Sequence, residues 1–137
     1  MSFSMERNIN YYETDKMGIV HHSNYIRFME EARIEFMKEM NIPYDVLENT
    51  GIFIPVLGVS CDYKHHVSFG DTIIMHCSIK EYNGVRLNIQ YEFYNKANSA
   101  LVLIGESKHC FTTPELKPIN LKKNFPDIHN FLMNSEW

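Results

Sequence analysis

Apolar residues recur at three- and four-residue steps in one extended stretch of this chain. Between Asn24 and Met40, Tyr25, Phe28, Met29, Ala32, Phe36 and Met40 mark one stripe, while Arg27, Glu31, Glu35 and Lys38 share the other side. This spacing predicts an amphipathic helix of four to five turns, with Ser23 and Asn24 as candidate caps. Asn41-Ile42-Pro43 closes it, because the residue before a proline disfavours helical backbone. Ahead of the helix, Glu6 to Tyr12 reads as a short extended segment and Asp15 to Gly18 as a turn. Behind it come four β-type runs: Pro55 to Lys64, Asp71 to Glu81, Arg86 to Asn95, and Leu101 to Thr112. Asn83-Gly84 is the strongest hairpin signal, since both residues tolerate the positive φ of a tight turn. Consecutive strands are therefore expected to pair antiparallel. The predicted class is α+β, with one long helix wrapped by a curved antiparallel five-stranded sheet. Pro114 and Pro118 end the last run, and Phe125 to Met133 is expected to form a short terminal helix.

Composition narrows the possibilities. The chain has 137 residues, 45% of them hydrophobic and 22% charged, which suits one domain over 1–137 with a C-terminal extension over 113–137. A formal net charge of −4, with no basic run longer than Lys122-Lys123, argues against nucleic acid as a partner. The first residues lack a basic region followed by an apolar stretch, and no segment approaches a membrane span. A cytoplasmic protein without integral membrane association is expected. Its three cysteines, Cys61, Cys77 and Cys110, are widely spaced and read as reduced thiols. The histidine doublets His21-His22 and His65-His66 place neighbouring rings in different directions, so no metal site and no cofactor are expected.

Chemistry concentrates between Tyr11 and Tyr25. There a carboxylate, Asp15, precedes a glycine, Gly18, and then a helix start at His22-Ser23. Free N–H groups and the positive dipole end at a helix N-terminus favour negative charge, so this arrangement can hold an oxyanion opposite a carboxylate. From spacing alone an ordinary strand-turn-helix, with Asp15 stabilising the turn and Ser23 capping, is the favoured reading. Glu30 and Glu31 are also carboxylates near the helix start, but Arg33 and Arg27 stand at ion-pairing distance along the helix. Ser23 lacks the Gly-x-Ser-x-Gly elbow of a nucleophilic serine.

The run Glu13-Thr14-Asp15-Lys16-Met17-Gly18-Ile19-Val20-His21-His22-Ser23-Asn24-Tyr25, followed by Phe28, Glu30, Ala32 and Arg33, resembles the signature of hotdog-fold thioesterases. More narrowly it is similar to the 4-hydroxybenzoyl-CoA thioesterase family and its YbgC-type acyl-CoA thioesterase branch. The similarity continues through Pro55-Val56, Asp62-Tyr63-Lys64 and Gly70-Asp71, and so spans about residues 5 to 113. One departure is visible: the branch often carries Tyr where this chain has His21.

The resemblance implies the hotdog fold and hydrolysis of an acyl-CoA to free acid and CoA. It gives Asp15 the part of nucleophile or of base toward water, and the His22 backbone N–H that of polarising the thioester carbonyl. The His22 ring assists, and Gly18, His22 and Ser23 shape the oxyanion site. Tyr25, Lys64, His65 and Arg86 are candidate substrate contacts, the basic ones for CoA phosphates. The resemblance also implies a homodimer or homotetramer in which two sheets join edge to edge around a shared site. Two other readings stay open, an acyl-carrier-protein thioesterase and a non-catalytic acyl-CoA-binding protein.

Overall fold

A computed structural model of the chain describes residues 3–137. The strands are β1 (Phe3–Asn8), β2 (Val56–Tyr63), β3 (Thr72–Tyr82), β4 (Arg86–Asn95) and β5 (Leu101–Cys110). The helices are α1 (Ser23–Glu39), α2 (Tyr44–Thr50), α3 (Leu121–Asn124) and α4 (Pro126–Met133), with a 3-10 turn at Tyr11–Glu13. All strands join one antiparallel sheet in the order β1-β3-β4-β5-β2.

That order corrects the expectation that consecutive strands pair throughout. It holds for β3-β4-β5, which tight turns connect, but β2 crosses to β5 and β1 lies against β3. Turn residues dictate only hairpins, whereas the long connections around α1 carry no such local instruction. The first extended segment also differs: the strand ends at Asn8, and Tyr11–Glu13 winds into a 3-10 turn. Helix α2, within a stretch left without an element in the sequence reading, ends at Gly51, whose φ of 98° is a left-handed closure. Helix α1 begins and ends one residue before the predicted Asn24 to Met40.

One sheet face packs on α1. Ile73, Met75 and Cys77 of β3 alternate inward with Leu87, Ile89, Tyr91 and Phe93 of β4, opposite Phe28, Met29, Ala32, Phe36 and Met37. Each large apolar side chain buried here contributes about 1.5–3 kcal/mol. Gly105 of β5 allows a close approach: a Cβ at this position would lie 3.1 Å from Met29 Cε. The same layer holds a polar chain. Arg33 donates to the hydroxyls of Tyr44 (2.9 Å) and Tyr91 (3.1 Å), Tyr91 meets Ser107 Oγ at 2.6 Å, and Ser107 meets His109 Nε2 at 2.7 Å.

The C-terminal extension closes the sheet end formed by the β3–β4 hairpin. The Leu121 N–H bonds the Gly84 carbonyl, the Ile79 N–H bonds the Trp137 carbonyl, and Tyr82 OH meets His129 Nδ1 at 2.8 Å. The opposite end, where β2 finishes and β3 begins, is left to the Asp15 loop.

Candidate active site

A tight turn presents Asp15. The Asp15 N–H bonds the Ile19 carbonyl, the Gly18 N–H bonds the Asp15 carbonyl, and Asp15 Oδ1 accepts from the Met17 N–H at 2.8 Å. Gly18 has a φ of 80°, a conformation that a side chain would strain. The second carboxylate oxygen has no hydrogen-bond partner among the described residues.

Glu13, two residues earlier, anchors this loop. Its carboxylate is buried and takes a forked pair of hydrogen bonds from Arg7 at 2.5 and 2.6 Å, plus one from the Asn10 N–H at 2.8 Å. Burial opposes ionisation of Glu13, but these donors outweigh it and hold its pKa below the ordinary value. Arg7 also lies over the Phe28 ring at 4.0 Å and pairs with Glu31 at 3.0 Å. Burial disfavours its charge as well, yet the two glutamates raise its pKa. The Glu13 carbonyl then accepts both the His21 N–H (2.9 Å) and Asn24 Nδ2 (2.8 Å), so the loop and the start of α1 hang from one oxygen.

At that helix start the sequence expectation needs correction. Neither Ser23 nor Asn24 caps α1 with its side chain; His22 is the N-cap residue, in helical backbone geometry. The Ser23 N–H bonds His21 Nδ1, the Asn24 N–H bonds the His21 carbonyl, and the Tyr25 N–H bonds the His22 carbonyl. The His22 N–H has no partner among the described residues.

Asp15, His22, Tyr25, Lys64 and His65 line one open cleft of about 460 Å³. Five further residues that the sequence does not mark as site residues share it: Met17, Ile19, Val20, Tyr63 and His66. Tyr63 packs on Tyr25 at 5.1 Å between ring centres and donates to the His22 carbonyl at 3.3 Å. Burial, with Tyr63 adding to it, pushes the Tyr25 hydroxyl up to about 12, so it stays a neutral donor. Ser23 is exposed at the helix start, outside the cleft lining. Arg86 stands apart from the others. It opens β4, seven residues from the Phe93 level that Leu103 and Tyr63 share, or about 23 Å along the strand.

The competing carboxylates are occupied elsewhere. Glu30 lies 4.0 Å from Arg33 as expected, while Glu31 pairs with Arg7 instead of Arg27. Among the described residues, no group of three or more His, Cys, Asp or Glu side chains is arranged to hold a metal ion. No helix among them is long and apolar enough to cross a membrane.

Comparison with known proteins places this geometry in context. Residues 9–127 match the family described as the thioesterase-like superfamily. The Bacillus subtilis (strain 168) protein named "Putative acyl-CoA thioesterase YneP" is 36% identical over 124 residues, covering 90% of each chain. The Helicobacter pylori (strain ATCC 700392 / 26695) acyl-CoA thioesterase YbgC is 28% identical over 134 residues, covering 92% of this chain and 98% of its own. Among solved structures, a DHNA-CoA thioesterase from Staphylococcus aureus superposes with a TM-score of 0.90 at 28% identity, covering 96% of this chain and 89% of that one. The 4-hydroxybenzoyl-CoA thioesterase of Pseudomonas sp. strain CBS-3, at 18% identity and a TM-score of 0.80 over 93% of this chain and 98% of that one, shares the fold. The five-stranded sheet wrapped on α1 is thus the hotdog fold, and the chain belongs to the thioesterase-like superfamily.

Proposed function

We propose that this protein is an acyl-CoA thioesterase whose chemistry runs in the cleft between the Asp15 loop and the start of α1. The observation that carries the proposal is the presence, lining one cleft, of a carboxylate whose second oxygen, and a helix-start residue whose N–H, has no partner among the described residues. The thioester carbonyl oxygen accepts from the His22 N–H, where a developing oxyanion also meets the positive end of α1. One such donor is worth about 2.7–4 kcal/mol in acyl transfer. Asp15 supplies the nucleophile. It either attacks the carbonyl carbon itself, expelling CoA thiolate and leaving an anhydride that water opens, or takes a proton from the attacking water. The His22 ring can hand a proton to the departing sulfur as a general acid.

Tyr25 and Tyr63 form an aromatic wall for the reacting end of the substrate. Lys64 and His65, with His66 beside them, offer donors to CoA phosphates on a chain that is acidic overall. Arg86 lies too far along β4 to serve the same cleft from its own chain. Strand β2 pairs only with β5 and exposes Val56, Leu57 and Val59. This open edge supports a homodimer, or a tetramer built from dimers, with the cleft completed by a second copy. The free cysteines Cys61, Cys77 and Cys110 suit a reducing cytoplasm.

Release of free thiol from a panel of acyl-CoAs tests the proposal. Wild type is expected to turn over at least one of them, and Asp15→Asn to lose about a thousandfold or more in kcat with the fold retained. Near wild-type turnover by Asp15→Asn removes Asp15 from the mechanism. Cleavage confined to acyl-carrier-protein substrates selects the carrier-protein reading, and tight acyl-CoA binding without thiol release selects a binding protein. An acyl-sized mass increment on acid-quenched enzyme separates direct attack from base-assisted water.

A further inference from the structure

His21 is absorbed neither by the cleft nor by the core, yet its backbone, its ring face and its Nδ1 are all engaged. Its N–H bonds the Glu13 carbonyl at 2.9 Å, and its carbonyl accepts the Asn24 N–H at 3.0 Å. Its ring lies against the His22 ring, with centres 4.3 Å apart and planes 31° from parallel. Ring Nδ1 stands 3.2 Å from the Ser23 N–H and 2.8 Å from Ser23 Oγ. A backbone N–H can only donate, so Nδ1 carries its lone pair toward Ser23 and the ring proton resides on Nε2. The Ser23 hydroxyl is then a second donor to the same nitrogen.

These contacts assign the opening N–H groups of α1 selectively. The side chain and carbonyl of His21 take those of Ser23 and Asn24, the His22 carbonyl takes that of Tyr25, and the His22 N–H alone among them is left without a partner among the described residues. The imidazole thus does what a side-chain cap normally does, two residues upstream of the group it satisfies. It also braces one side of the His22 ring.

We infer that His21 is a positioning residue for thioester hydrolysis, holding the His22 N–H and ring in place through an imidazole cap on Ser23 and a ring contact with His22. The inference rests on the reading of Asp15 and His22 as the reacting groups. His21 is also where the sequence departs from the tyrosine common in the branch it resembles.

The experiment compares His21→Ala with His21→Asn. The Asn carboxamide can accept the N–H two residues on, as in an Asx turn, but brings no ring to His22. His21→Ala is expected to lower kcat about tenfold with KM within about twofold of wild type, and His21→Asn to recover most of that kcat. Equal losses in the two variants, or a wild-type kcat in His21→Ala, overturn the capping role. Independently of turnover, nitrogen-15 spectra of the histidine rings at mildly alkaline pH are expected to show His21 protonated on Nε2. Protonation on Nδ1 overturns the inference even if His21→Ala folds poorly. A wild type that cleaves no acyl-CoA defeats the functional proposal, while the ring spectrum still decides the cap.

Discussion

Asp15 enters the cleft with one oxygen already spent on the Met17 N–H, so its orientation is fixed before substrate arrives. Preorganisation of this kind makes the carboxylate more than a charge: Asp15→Glu, one methylene longer, should lose most of the activity although its charge is kept, which a kcat measurement on the refolded variant would decide. In the proposed mechanism His22 acts through its backbone as well as its ring. His22→Ala is therefore expected to lose about tenfold to a hundredfold in kcat, well short of Asp15→Asn, because the N–H survives the substitution. A loss equal to that of Asp15→Asn would give the ring the main part. Deep in the core, His109 offers a different kind of prediction. Burial first, and then the charge of Arg33, push its pKa down to about 4 from an ordinary value of 6.5. The unfolded chain therefore takes the proton first: stability is complete above about pH 6.5 and falls as the pH drops toward 4, by about 3 kcal/mol. Urea midpoints at steps across that window should decline in wild type and hold steadier in His109→Gln. Glu13, whose pKa is lowered from an ordinary 4.5, adds its own loss only below that value.

At the scale of elements, the first residues of α1 matter more than its length. The stripe from Tyr25 to Met40 announces the helix in the sequence, because burial against a sheet demands that period. Its polar exception, Arg33, breaks no pattern when read as a surface residue, and only the fold reveals it hydrogen-bonded to Tyr44 and Tyr91 in the interior. The Asp15 loop was legible too, since carboxylate, glycine and helix start lie within a few residues of one another. Tyr63 and His66 were not, because what brings them to the cleft is the pairing of β2 with β5, and no turn residue encodes that. Asn24 joins these levels. Its amide nitrogen ties α1 to the Glu13 carbonyl, and Asn24→Asp, which trades a donor for a charge, should lower kcat several-fold while leaving Arg7–Glu13 intact. Steady-state kinetics beside a thermal melt would separate that effect from simple unfolding.

Across the whole molecule, the two ends of the sheet have different tasks. The C-terminal extension seals the β3–β4 end with Leu121, His129 and Trp137, while the Asp15 loop leaves the other end open as a cleft. The β2 edge flanks that cleft through Tyr63, so an assembly built on this edge would bear directly on the site. Activity per chain should accordingly fall on dilution below the dissociation constant of the dimer, and sedimentation run in parallel with the assay would detect it; constant specific activity in a monomer would show the cleft to be sufficient alone.

The missing side chain at position 105 has a reach beyond packing. The end of the Met29 side chain lies 3.1 Å from where a Cβ would stand, so the layer between sheet and helix is filled here up to the glycine itself. Gly105→Ala requires the flexible end of Met29 and a Leu103 methyl to give by a few tenths of an ångström, at about 1–3 kcal/mol of stability. Met29 belongs to the helix that carries the His22 N–H at its tip, so repacking around it is expected to disturb the proposed oxyanion site. A methyl group added in the core, touching no substrate, is then expected to register as slower catalysis, which kcat of Gly105→Ala beside its thermal melt would show.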